Sequence, residues 1–178
     1  DAVPDTDGER WTLSRSADTP DGDVLLRLAT PEGATFEVLG DRSVLVAPVP
    51  GVTDGVGIAP LPAGTVEASG DLLVVRAHPA APDEPVVVWF GRTALAGATW
   101  GEREGGRSLA VVPTPWARAA GEAGTAMVWR ALGDLGPEAV GPGMWEQLAC
   151  HAIGAPDKES WNLEPWRPEV SDGEMLDQ

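Results

Sequence analysis

Cys150 and His151 are neighbours in the sequence, and ten residues on, Trp161, Asn162, Glu164, Trp166 and Arg167 crowd into "WNLEPWRP". A thiolate and an imidazole in contact would supply a nucleophile and its base. On a helix, however, adjacent side chains diverge by about 100°, and only residues three or four apart face one another. If this segment is helical, Cys150 and His151 cannot form a dyad. The other histidine, His78, falls in a proline-rich loop. One cysteine and two histidines are too few for a Cys/His metal site unless carboxylates complete it. The sequence therefore predicts no metal and no cofactor. Cys150 is then either a buried small apolar residue or half of a disulfide whose partner is missing from this chain.

An acid–base pair would need His151 beside a carboxylate, with Glu146 and Glu164 the candidates. Glu102, Glu104 and Asp157 qualify by type alone, and no spacing selects two of them. "EREGGRS" has glycines but lacks the lysine and spacing of a phosphate loop, so it reads as a hairpin turn. Between Pro165 and Pro168 the chain cannot be regular helix, and this predicts an extended segment that needs tertiary partners. It is expected to strap the helices. Alternatively Trp161, Trp166, Arg167 and Asn162 form a binding patch for a sugar ring or an extracellular protein.

The elements that must position these residues follow from pattern. The 178 residues include 22 Gly and 17 Pro, which favours many turns and few long helices. A formal net charge of −16 opposes binding to nucleic acid or an anionic bilayer through the surface as a whole. No window approaches the ~20 apolar residues of a membrane span. The start "DAVPDTDGER" reads as a processed N-terminus with a flexible lead, compatible with export. Residues 1–10 are expected to be flexible, 11–90 to be β-hairpins, and 91–178 to form a Trp-rich α+β part packed on them.

Within the hairpin region "TFEVLGDRSVLVA" at Thr35–Ala47 is echoed by "TVEASGDLLVVRA" at Thr65–Ala77. Gly40-Asp41 and Gly70-Asp71 suit tight turns with positive φ, so two related hairpins of a meander are expected. Val56–Ala59 reads as a short strand. In the second half "ATWGE" and "RSLAVVP" read as a further hairpin. Helices are expected at about 124–135, with Met127, Val128, Leu132 and Leu135 in phase, and at 142–153, with Met144 four before Leu148 and Trp145 four before Ala149. Ser171 and Glu174 have capping-box spacing. The fold class is α+β: mainly antiparallel β first, then a small part with two short helices.

"WGEREGGRSLAVVPTPWAR", "GMWEQLACH" and "KESWNLEPWRPEV" together resemble a secreted actinobacterial family, domain of unknown function 2599. The resemblance covers about residues 100–170. It implies export, a β-rich region upstream, and a C-terminal domain of unassigned activity. It also implies a second cysteine shortly after the "RP.V" segment; this sequence ends at Gln178 without one, which favours a shortened tail and Cys150 as a disulfide half. No catalytic residues come with it. The leading expectation is a secreted, non-enzymatic binding or interaction module; the second is an extracellular hydrolase or toxin-type enzyme using His151 with Glu146 or Glu164.

Overall fold

Short runs of Val and Leu between Gly, Pro and Asp build most of the regular secondary structure as antiparallel strands. A computed structural model describes residues 2–5, 8–15, 24–30, 33–46, 56–81, 83–103 and 105–167. Its strands are β1 (Ala2–Asp5), β2 (Gly8–Leu13), β3 (Val24–Ala29), β4 (Phe36–Val38), β5 (Val44–Val46), β6 (Val56–Ile58), β7 (Gly64–Ser69), β8 (Leu72–Ala77), β9 (Val86–Gly91), β10 (Leu95–Arg103), β11 (Gly106–Pro113) and β12 (Trp161–Leu163). Three helices, α1 (Pro115–Ala119), α2 (Gly121–Gly133) and α3 (Met144–Gly154), lie between β11 and β12, with a 3-10 turn at Pro137–Val140. The α+β class, β-rich first and helical later, is what the sequence predicts.

The strands form a six-stranded sheet in the order β1-β2-β9-β6-β5-β4 and two three-stranded sheets, β3-β8-β7 and β10-β11-β12. The six-stranded sheet is the middle layer. Successive side chains of a strand point to opposite faces. Val44 and Ile58 accordingly share one core with Leu73 and Val75 of the β3-β8-β7 sheet. Leu45 and Ala59, each one residue on, join a second core with Trp116, Val128, Leu148 and Trp161. Alternation along β5 and β6 thus serves two cores at once.

The two echoing hairpins are present, but β4–β5 lies in the middle layer and β7–β8 in the outer one. Gly70-Asp71 makes the expected tight turn, with Ser69 opposite Leu72 and Gly70 at φ 63°. The Gly40-Asp41 turn differs: five residues separate Val38 from its partner Val44, and Arg42, not Gly40, has the positive φ. Asp41 shapes that loop by accepting from Ser43 N–H (2.9 Å) and Ser43 Oγ (2.6 Å). Residues 2–5, expected to be flexible, pair with β2 as β1.

Trp116 joins the layers. It is fully buried on α1, which Thr114 caps by accepting from Ala117 N–H and Pro115 opens at N1. Its indole lies over a lane of two paired glycines, Gly91 on β9 and Gly57 on β6. A Cβ on Gly57 would stand 2.6 Å from Trp116 Cη2, and one on Gly91 would overlap the indole. Trp116 Nε1 donates to Trp89 O at 3.1 Å.

Both expected helices form, displaced by a few residues. α2 ends at Gly133, so Met127, Val128 and Leu132 are buried while Leu135 lies beyond the helix, half exposed. α1 was not legible as a helix. No helix among the described residues is long and apolar enough to cross a membrane. Ser171, Glu174, Pro168 and Glu104 lie outside the described residues.

Candidate functional site

The "WNLEPWRP" segment is more than a strap: Trp161–Leu163 is a sheet strand. β12 pairs with β11, Leu163 opposite Leu109 and Trp161 opposite Val111, and these four side chains face the core. Peptide groups alternate sides along a strand, so Asn162 and Glu164 turn theirs toward α3. There Gln147 Nε2 donates to Glu164 O (3.0 Å) and Gln147 Oε1 accepts from Glu164 N–H (2.9 Å). One helical turn later His151 Nε2 bonds Asn162 O at 3.1 Å. A carbonyl only accepts, so this nitrogen carries the proton. Two side chains at i, i+4 on one helix face thus satisfy the outer edge of β12.

The loop before β12 is clamped from α1. Arg118 donates through Nε to Pro113 O (3.3 Å) and through its terminal nitrogens to the carbonyls of Pro156, Lys158 (2.7 Å) and Glu159 (2.9 Å). Its guanidinium sits 5.2 Å from the Trp161 ring. Trp161 Nε1 in turn donates to Ala155 O at 3.1 Å.

The sequence candidates therefore separate. His151 is half-buried, stacked parallel to Trp161 at 6.4 Å between centroids. Burial holds its imidazole below the ordinary 6.5, outweighing the Asn162 bond and the nearby Glu164, which raise it; Lys158 and Arg167 add to the lowering. Glu164 is buried and its carboxylate pairs with Arg167, three residues on. Glu146 is five residues before His151 on α3, roughly 140° around the helix. Trp161 is 1 % exposed and cannot serve as an open platform. Trp166 is 43 % exposed and rests on Gly106, where a Cβ would strike its indole. Cys150, on one reading a buried apolar residue, is instead exposed, because Met144 and Leu148 carry the buried face of α3. Among the described residues no group of three or more His, Cys, Asp or Glu could hold a metal ion.

What the structure does bring together is a groove of about 600 Å³ on the other side of α3. Trp145, Ala149, Ala152 and Ile153 form one wall; Leu39 and Leu45 of the middle layer, Ala117, Ala126 and Trp161 contribute the rest of its apolar lining. Trp145 is 40 % exposed, and Ile153 86 %. Glu37, Asp41 and Glu122 are its carboxylates. Glu122 and Asp41 also join the layers: Asp41 Oδ2 accepts from Glu122 N–H (2.8 Å), Glu122 Oε2 from Gly40 N–H (3.1 Å), and Ser43 Oγ from Ala123 N–H (3.0 Å). The N-terminus of α2 is thus capped from a loop about eighty residues away. Of the sequence candidates only Trp161 lines the groove. The signal for the rest was the spacing Trp145, Ala149, Ile153, a second apolar stripe beside Met144 and Leu148 that the core does not absorb.

Residues 95–178 match the sequence model of a family described as "Protein of unknown function (DUF2599)", as the resemblance of the C-terminal motifs implies. Uncharacterized proteins of Mycobacterium bovis and of two strains of Mycobacterium tuberculosis are each 44% identical over 87 residues, covering 44% of this chain and 57% of each relative. The chain thus spans little more than half the length of these relatives. No solved structure matches.

Proposed function

We propose that this chain, with a C-terminal half matching DUF2599 and a β-rich half before it, is a non-enzymatic extracellular binding module seated on the α3 groove. The observation that carries this reading is the groove itself. Its volume of about 600 Å³ is in the range of small-ligand sites, roughly 300–1,000 Å³. Its wall presents Trp145 and Ile153 to solvent, an exposed apolar surface that folding alone does not require. An enzyme built on His151 gains no support from the geometry: Nε2 is committed to a backbone carbonyl, and the Glu164 carboxylate to Arg167. Export rests on the family resemblance and agrees with the acidic charge.

An uncharged solvatochromic dye such as Nile red tests the seat. Wild type should bind it with saturable fluorescence, and Ala149→Trp, which fills the groove, should abolish the saturable phase while leaving the unfolding midpoint within a few degrees. Equal binding by wild type and Ala149→Trp overturns the assignment. Export is tested separately, by whether the native protein is recovered from culture medium or the cell surface; recovery only from cytoplasm refutes it.

A further inference from the structure

We infer that the groove takes a small cationic amphiphile, an apolar body carrying one ammonium or guanidinium head; the inference rests on the binding reading above. The lining holds three carboxylates, Glu37, Asp41 and Glu122, against one guanidinium, Arg118. That guanidinium is turned to the backbone. Four of its five N–H groups go to the carbonyls of Pro113, Pro156, Lys158 and Glu159, so little donor capacity remains for an anionic head. The other feature that could recruit an anion, the N-terminus of α2, is closed by Asp41 and Ser43. Both anion-binding devices of the groove are thus spent inside the protein; Asp41 and Glu122 Oε2 are engaged there too, which leaves the carboxylate of Glu37 and the second oxygen of Glu122 to set the charge of the rim. Glu37 and Glu122 are exposed there.

The apolar wall fits the other end of such a ligand. Trp145 offers a partly open indole, which attracts an ammonium through its ring face and an alkyl or aromatic body through its area. The protein's net charge of −16 draws cations toward the surface generally and opposes a second copy of the same chain as occupant. The volume suits a single small molecule better than a folded partner element.

Isothermal titration with three octyl compounds kept below their micelle concentrations tests the inference: octyltrimethylammonium, octyl glucoside and octyl sulfate. The cation should bind about 10-fold tighter than the neutral compound at low salt, from a cation–π contact added to screened charge pairs. The preference should shrink between 20 mM and 300 mM NaCl. Glu37→Gln combined with Glu122→Gln, which keeps an amide oxygen for Gly40 N–H, should remove most of the preference without removing octyl glucoside binding. Ala149→Trp should remove both. Equal affinity for all three heads, or tighter binding of the sulfate, overturns the cationic assignment and leaves the binding module standing. No saturable binding of any of them, with Nile red also unbound, overturns both. A basic amphipathic peptide that binds where octyltrimethylammonium does not overturns the small-molecule assignment, as does sedimentation showing self-association that Ile153→Asp abolishes.

Discussion

Gly91→Ala is the sharpest perturbation of the joint between layers. Its new Cβ would overlap Trp116 Cδ2 and Cε2, on a ring that is fully buried. Carbon atoms settle at about 3.5–4.0 Å, so the ring or the sheet must move by an ångström or more. Overpacking of this kind costs about 1–3 kcal/mol. A shift of the indole also stretches the bond from Nε1 to Trp89 O, adding about 0.5–1.5 kcal/mol. The expected loss is about 2–4 kcal/mol, and Gly57→Ala, whose Cβ stops 2.6 Å from the ring, should lose less. Trp116→Ala alone should cost about 3–5 kcal/mol. In that background the clash is gone, and Gly91→Ala should be neutral or stabilising by up to about 1 kcal/mol, since glycine is the poorer strand residue. Urea unfolding followed by far-ultraviolet circular dichroism on the four proteins gives the coupling energy. Additivity within about 0.5 kcal/mol would refute the role assigned to the glycine lane.

Three further outcomes follow from the site. Folded His151 binds its proton less tightly than the unfolded chain does, because burial lowers its pKa. Its contribution is therefore complete above the ordinary value of 6.5 and declines as pH falls through the lower folded value; urea midpoints between pH 7.5 and 5 should fall less steeply in His151→Gln than in wild type, and parallel curves would contradict this. Asp41→Ala removes the cap supplied across the layers to α2 and should cost about 1–2 kcal/mol, measured as a urea midpoint shift; no shift would deny the cap its role. Arg118→Met and Gln147→Leu should each cost roughly 1.5–3 kcal/mol and speed hydrogen exchange in residues 156–164, whereas unchanged exchange there would show that the strand edge is held by something else.

Much of the secondary structure was legible because its determinants are local. The tight turn at Gly70-Asp71, the β10–β11 hairpin, and the phase of Met127, Val128 and Leu132 involve residues within a few positions of one another. The five-residue loop at 39–43 was misread for the opposite reason: its shape serves the distant α2 terminus, which Asp41 and Ser43 cap. α1 was missed because five residues carry too little periodicity, and what places it is Trp116 finding glycines on β6 and β9. The candidate site was legible only in part. Cys150 and His151 drew attention through chemical type, yet His151 is used on the backbone of β12, and Gln147 beside it carried no warning.

By itself the sequence determined most of the strands and the two longer helices, the acidic net charge, and the resemblance of the C-terminal part to the DUF2599 family model. Periodicity, turn residues and motif order are written in neighbouring positions, and short-range sterics and solvation enforce them wherever the segment lies. Only the tertiary structure decided which strands share a sheet, which tryptophans are buried, and that an apolar groove opens beside α3. Those outcomes depend on which surfaces meet: Trp161 and Trp166 are five residues apart, but one packs under a helix and the other rests on the edge glycine of a strand.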